Sequence, residues 1–265
     1  VTRPVLIAGA GIGGLALGIA LARRGVSADI YERAATLDAV GAGVQLAPNA
    51  SRILDALGLG PALDAVAVRP ESVTIVDAPS GKTLKILPLG EGAERRWGAP
   101  YRVVHRADLQ AALHAAALAE PLLTLTLDAA VRSAADTSDG AALTVDHAGS
   151  IERREGAFAV GADGLRSVLR DAVKLPQAVR ETGLVACRTV LPTEALPQAF
   201  PLTQVSVWLA PGAHMVVYPV RAGREANVVL IGALGSETPE ERVSRWAAPA
   251  RALVAAAPDW SAWPL

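Results

Sequence analysis

The feature that most constrains this chain lies in its first 33 residues. An apolar run, Val5 to Ala8, leads into Gly9-Ala10-Gly11-Ile12-Gly13-Gly14, then an Ala/Leu-rich segment, a second apolar run and Glu32. A strand that turns through spaced glycines into a helix, with an acid 18 residues after the last glycine, is the dinucleotide-binding fingerprint. Gly9 permits the tight turn, Gly11 lets backbone approach a pyrophosphate, and Gly14 lets helix and strand pack closely. The amides of Ile12 and Gly13, at the start of the helix, face a diphosphate with the positive end of the helix dipole behind them. Glu32 suits a ribose diol, which argues for an adenosine ribose without a 2′-phosphate.

A membrane span or a secretory leader is the competing reading, because Val5 to Ala22 carries no charge. Five glycines within those 18 residues and a stop at Gly25 weigh against it. A leader would also need a small-residue cleavage site, and no later apolar run has span length. The single cysteine, Cys187, allows no disulfide framework, so the cytoplasm is the expected compartment.

The remaining composition narrows the function classes. With 265 residues, 51% of them hydrophobic, the chain can bury a sizeable core and is expected to form two lobes. A formal charge of -1 offers no basic footprint for nucleic acid and no polybasic patch for a membrane. The four histidines are scattered and Cys187 has no partner at ligand spacing, so no metal site is expected. No serine sits in a Gly-x-Ser-x-Gly elbow.

Along the chain, 41–49 read as a loop and the segment around Leu54 and Leu57 as a helix ended by Gly58. Residues 72–76 and 82–87 read as a hairpin about Pro79-Ser80-Gly81. Leu109, Leu113, Ala116 and Ala117 recur at helical spacing between Arg106 and Ala119. Three β-like runs, 122–131, 142–147 and 151–160, predict an antiparallel meander, and 165–173 a short helix. Strands follow at 184–190, 204–209, 214–220 and 227–231, then a helical segment over 239–256. A second nicotinamide-binding βαβαβ half should follow within the first 150 residues of a two-half dehydrogenase, and none does.

Three separated motifs carry a family resemblance. They are the glycine fingerprint with Tyr31-Glu32-Arg33, the run His105-Arg106-Ala107-Asp108-Leu109, and Gly161-Ala162-Asp163-Gly164-Leu165-Arg166-Ser167 with Arg170. With Gly41 to Leu46 and Pro48-Asn49-Ala50 between them, the chain resembles the FAD-dependent aromatic hydroxylases, the single-component flavoprotein monooxygenases. It looks most like the salicylate, 3-hydroxybenzoate and 6-hydroxynicotinate hydroxylases. The resemblance covers nearly the whole chain, in order.

The resemblance implies an α/β fold in which a Rossmann-like FAD-binding domain with a β-meander is interleaved with a mainly antiparallel substrate domain. The expected boundaries are 1–70 and 99–176 for FAD, and 71–98 and 177–265 for substrate. It implies FAD as cofactor, NADH or NADPH and dioxygen as co-substrates, and a small phenolic or hydroxylated aromatic acid as substrate. That substrate would be hydroxylated through a flavin hydroperoxide, with or without loss of carboxylate. A monomer or homodimer is expected. Glu32 would hold the adenosine ribose, Arg33 would lie near the adenine, and Arg106 would reach the pyrophosphate and ribityl region. Asp163 would contact the ribityl chain, Gly43 and Val44 the isoalloxazine ring. Each has a bland counterpart: Arg106 as a solvated helix-start arginine, Asp163 as a helix cap.

The catalytic candidates lie in a later run. His214, Val216 and Tyr218 project to one side if Gly212 to Pro219 is a strand. The resemblance gives His214 and Tyr218 the task of relaying a proton from a phenolic substrate, which enriches the ring carbon that must attack oxygen. On spacing alone the pair reads equally as side chains packed across a sheet. Gln45 stands where some relatives carry a histidine and is a third candidate. Such enzymes usually continue into a further Gly-Asp motif and long helices, a region that begins where Leu265 ends the chain. The expectation is either a portion of a longer enzyme or a natural shortening that binds flavin weakly, and in the second case a nucleotide-binding module without turnover.

Overall fold

Val5 to Ala8 are all essentially inaccessible, as a central parallel strand requires, and the elements on either side of them follow the fingerprint's order. The computed structural model describes residues 3–37, 41–173, 179–235, 237–257 and 259–265. The chain opens with β1 (Val5–Ala8), α1 (Ile12–Ala22), β2 (Ala28–Tyr31), β3 (Gly43–Leu46), α2 (Pro48–Ala56) and α3 (Gly60–Asp64). The hairpin β4 (Ser72–Asp77) and β5 (Thr83–Pro88) leads to α4 (Gly90–Trp97), β6 (Arg102–His105) and α5 (Arg106–Leu118). Next come β7 (Leu123–Thr126), β8 (Ala129–Thr137), β9 (Gly140–His147), β10 (Ser150–Gly156), β11 (Phe158–Gly161) and α6 (Val168–Ala172). The last stretch holds β12 (Leu184–Pro192), β13 (Gln204–Ala210), β14 (Ala213–Val220), β15 (Glu225–Ala233), α7 (Pro239–Arg242), α8 (Ala248–Ala256) and β16 (Ser261–Pro264).

These elements form two compact units, Val1–Ala39 with Leu109–Val179, and Val40–Asp108 with Arg180–Leu265. The functional division expected from sequence is a separate matter from compactness, and its boundary at 176/177 lies outside the described residues. The first unit holds a parallel sheet in the order β11-β1-β2-β7 and an antiparallel sheet in the order β10-β9-β8. Leu6, Ala8, Tyr31, Leu143 and Val145 share one core there, so the two sheets are packed together. The second unit holds a sheet in the order β16-β12-β15-β14-β13-β4-β5 and the ribbon β3-β6. One face of that large sheet, with Trp208, Met215, Val217 and Leu230, is covered by Val243, Trp246, Leu253 and Val254 around and within α8.

The fold is the mixed α/β one expected, and four local readings need correction. The run 122–131 is two strands: Leu123–Thr126 joins the parallel sheet, and the chain turns at Asp128, which adopts φ 51°, before β8. The run 151–160 divides likewise, its end Phe158–Gly161 pairing in parallel with β1. The meander is therefore β8-β9-β10 alone; continuous β character hides a change of sheet. The segment 41–49 is not all loop, because Gly43–Leu46 pairs with Arg102–His105. The helical segment 239–256 is two helices, the second started by Pro249, whose ring suits a first turn and lacks the N–H that a continuous helix would use. Among the described residues no helix is long and apolar enough to cross a membrane.

One charge anchors the ribbon. Arg102 is only 2% exposed, and its guanidinium pairs with Asp55 of α2 and Asp64 of α3, each at 3.0 Å. Both carboxylates keep partial contact with water, so removing the arginine leaves them able to rehydrate. Arg102→Met should lower unfolding free energy by about 2–3 kcal/mol, near the lower end for breaking a buried pair. The urea midpoint of the purified chain measures this.

Candidate functional site

In the first unit, the fingerprint glycines separate into two physical kinds. Gly9 adopts φ 98°, and a Cβ built there would meet the Ala162 carbonyl oxygen at 2.6 Å. A Cβ on Gly14 would lie 1.9 Å from the Gly9 oxygen. These two are demanded by the protein's own backbone. At Gly11 and Gly13 a Cβ would meet nothing within 4 Å, so the fold itself does not require glycine there. Space kept free of side chain at the N-terminus of α1, whose first turn has no side-chain cap, is what a diphosphate needs. Ile12, half-buried, starts the helix beside it.

Two side chains fix this turn. Glu32 accepts hydrogen bonds from Ala10 N at 2.8 Å and Ala34 N at 3.0 Å, one on each carboxylate oxygen. Each oxygen keeps a further lone pair for a ribose hydroxyl. Gln110, buried in α5, donates through Nε2 to the Ala10 carbonyl at 2.6 Å, so Ala10 is gripped at both its N–H and its carbonyl. Sequence reading missed Gln110; its polar side chain at a buried helical position was the available signal. Arg33 is exposed beside Glu32.

Asp163 follows β11, whose Gly161 pairs with Ala8 at the end of β1. Its Oδ2 accepts from Val168 N at 2.7 Å, while Ser167 is the cap residue of α6, accepting from Arg170 N. Its Oδ1 is buried without a partner among the described residues. Asp163 thus serves the helix start, as its bland reading holds, and still has one acceptor unspent.

The second unit collects the other candidates. Gly43 and Val44 lie in β3 opposite His105 and Val104. A Cβ on Gly43 would sit 2.4 Å from Cε2 of Tyr218, so the tyrosine ring occupies the place of a side chain. Gly43 N donates to Oδ1 of Asn227 at 2.6 Å. Asn227 is wholly buried, its Nδ2 has no partner among the described residues, and it is the cross-strand neighbour of Tyr218. Sequence reading passed over it, since nothing local marks an asparagine within an apolar strand as a clamp. Arg106 starts α5, its N–H bound to the Ala42 carbonyl and its side chain stacked along Gly41. Gln45 is exposed and accepts a hydrogen bond from the Tyr101 hydroxyl at 2.5 Å.

His214 and Tyr218 do share one face of β14, in register with Ile231 and Asn227 of β15. Four residues of strand separate their Cα atoms by about 13 Å, so they flank Val216 rather than touch. Burial pushes the Tyr218 phenol well above its ordinary pKa; nearby Tyr101 adds to the rise and Arg188 opposes it. Tyr218 is therefore a neutral hydroxyl near pH 7. His105, between Gly43 and Arg106, is held below the usual imidazole value by burial and by the Arg221 charge, against Asp108 and Glu225. Its Nδ1 accepts from Ala107 N, as a neutral ring does.

Comparison with known proteins comes to the same region of fold space. The pattern defining a family described as "FAD binding domain" matches residues 2–259. A 3-hydroxybenzoate 6-hydroxylase of Polaromonas naphthalenivorans (strain CJ2) is 38% identical over 228 residues, 86% of this chain and 56% of that protein. A 6-hydroxynicotinate 3-monooxygenase of Bordetella bronchiseptica is 31% identical over 274 residues, covering 98% of this chain and 70% of that protein. The crystal structure of Klebsiella pneumoniae HpxO complexed with FAD and uric acid superposes with a TM-score of 0.83 at 23% identity, over 99% of this chain and 68% of that one. At that identity the likeness concerns the fold. The chain spans 56–60% of the length of the first two hydroxybenzoate hydroxylases it matches.

Two measurements test this geometry. Gly14→Ala should cost about 3 kcal/mol or prevent folding, since backbone must move. Gly11→Ala, at φ -68° and ψ -178°, should change stability by less than about 0.5 kcal/mol yet weaken dinucleotide binding at least about tenfold. The second concerns His105, whose folded-state pKa is depressed below an unfolded value of 6.5. The unfolded chain then binds the extra proton first as pH falls, so the stability due to a neutral His105 is complete above about pH 6.5 and is lost on acidification through the lower folded value. Urea midpoints taken from about pH 7.5 to about pH 5 should fall less steeply in His105→Gln than in the parent chain.

Proposed function

Because the chain belongs to the FAD binding domain family, we propose that it is the FAD- and substrate-binding part of a flavin-dependent monooxygenase that hydroxylates a small hydroxylated aromatic acid. The observation that carries the reading is the cradle of the first unit. Gly11 and Gly13 leave open space at a helix N-terminus, Glu32 holds the turn while retaining ribose acceptors, and Asp163 keeps one buried oxygen unpaired. An unspent buried acceptor suits a ribityl hydroxyl. When bound, FAD supplies reduction by NADH or NADPH and activation of dioxygen, the chemistry that side chains cannot perform.

In this reading residues 1–70 and 99–176 serve the flavin, and 71–98 and 177–265 the substrate. The functional division then cuts through the second compact unit, since Gly43, Val44 and Arg106 belong to it. Arg106 supplies a permanent charge for phosphate or ribityl oxygens, Arg33 borders the adenine, and the bare backbone of Gly43 with Val44 lies against the flavin ring. The bracket formed by His214 and Tyr218 handles the substrate's phenolic proton. Tyr218, neutral and fixed beside Asn227, donates or accepts a hydrogen bond without losing its own proton, and the His214 imidazole receives the substrate's proton. Gln45, turned by Tyr101, presents its amide to the ring's substituents. The nearly balanced charge and the one buried, unpaired cysteine suit a small-molecule enzyme of the cytoplasm.

Reconstitution decides the matter. Purified chain given FAD should turn yellow and retain it through gel filtration, with Arg106→Ala weakening retention about tenfold or more. In the complete polypeptide an aromatic acid should speed NADH or NADPH oxidation. His214→Ala should lower turnover on the order of a hundredfold, as loss of a general base does. Colourless protein that cannot be reconstituted, or unchanged turnover, would sink the reading.

A further inference from the structure

The large sheet of the second unit has one face covered by α8 and one face free of it. On that other face, where Tyr218, Val190 and Val216 pack in a core with Val103 of the ribbon, the strand register places Arg188, Val229 and Val216 in one row, and Val190, Asn227 and Tyr218 in the next. His214 stands on the other side of Val216 along β14, so Arg188 looks across β15 at the middle of the His214–Tyr218 bracket. Two strand spacings, about 10 Å, separate the Arg188 and Val216 backbones, a gap that an arginine side chain and one aromatic ring together fill.

Arg188 is half-buried in the wall of a cavity of about 650 Å³, together with Arg106, Asp259, Trp260, Ser261 and Trp263. Its Nε is shielded from water and has no hydrogen-bond partner among the described residues. An unpaired buried donor is costly, and an arriving acceptor removes the cost. Asp259 lines the cavity too, yet no hydrogen bond joins it to the Arg188 Nε. Arg106 is taken by the flavin in the reading above, so Arg188 is the cavity's remaining cation. Trp263, paired with Ala186 on the face of β12 that bears Arg188, gives the planar guanidinium an indole wall suited to a flat ring bearing a carboxylate.

We propose that Arg188 receives the carboxylate of the aromatic substrate and makes the site prefer acids over neutral phenols. This rests on the hydroxylase reading and names what that site recognises. With the carboxylate held at Arg188, the ring extends over Val229 and Val216 toward His214 and Tyr218, which carries a ring hydroxyl to the groups that handle its proton. Arg188 also opposes the upward push of burial on the Tyr218 phenol, consistent with a shared field between the two side chains.

The test compares acids with an uncharged analogue. Benzoate, salicylate, 3-hydroxybenzoate and 3-hydroxybenzamide are titrated into the FAD-loaded chain, following the flavin spectrum, and into the flavin-free chain, following tryptophan fluorescence. The parent should bind at least one acid more tightly than the amide. Arg188→Met should weaken acid binding about 10–100-fold with amide binding and FAD retention unchanged, and Arg188→Lys should restore part of the loss, because charge returns without the two-pronged fork. Failure of the parent to bind any of the three acids, unaltered acid binding in the variants, or equal loss of acid and amide would each overturn the proposal. If Arg188→Met does not fold, the acid-to-amide ratio of Arg188→Lys decides. A chain that takes up no FAD defeats the hydroxylase reading on that readout, while the fluorescence titration still decides the role of Arg188.

Discussion

The contact of α1 with the turn that precedes it governs the first unit. Gly14 lies so close beneath the Gly9 carbonyl that a single methyl group would displace backbone, and Gly9 in turn presses on the Ala162 carbonyl at the end of β11. Three segments distant in sequence are thereby held at one point: the end of β1, the start of α1 and the loop that bears Asp163. The alignment of Ala8 with both Tyr31 and Gly161 follows from the same parallel ladder. Glu32 and Asp163, one residue and two residues beyond those ladder ends, therefore emerge at the carboxyl edge of the sheet, where α/β folds bind nucleotides. Gln110 then closes the arrangement by taking the Ala10 carbonyl that the turn leaves free.

The second unit solves a different problem, that of bringing bare backbone against an aromatic ring. Gly43 is not in a conformation reserved for glycine; the reason for glycine there is the Tyr218 ring, which fills the volume of a side chain. Asn227 locks the approach by accepting the Gly43 N–H, and the Arg102 pairing with Asp55 and Asp64 ties the other strand of the ribbon to α2 and α3. A residue on β3, one on β14 and one on β15 meet, and each makes the position of the other two specific.

What was legible in the sequence was what local spacing encodes. The glycine turn, the stripe of Leu109, Leu113 and Ala117, and the hairpin at Ser80 follow from residues within one or two turns of each other, and the structure has them. Strand partnership is not local. Leu123 to Thr126 and Ala129 onward look like one β run, yet Asp128 sends them to different sheets, and no property of the run itself announces the choice. The same limit hid the site's supporting polar groups. Asn227 and Gln110 acquire meaning only from partners at sequence distances of 184 and 100 residues. Glu32 and Asp163 were legible because the motif that contains each of them also supplies its immediate surroundings.

Burial also divides labour between the two groups of the bracket on β14. Enclosing the Tyr218 phenol raises its pKa, which makes it a poor acid and keeps its hydroxyl available as a neutral hydrogen-bond partner. A phenolic substrate brought beside it meets the same low-dielectric surroundings, so its own proton also leaves less readily unless a positive charge or a base is at hand. The same face of the sheet carries both: a cation, Arg188, in Val216's row and an imidazole, His214, along the strand. A tyrosine alone at this depth would stabilise the protonated substrate. In the proposed reading a distant histidine and a facing arginine bear the change in charge and leave the tyrosine to fix the ring's orientation.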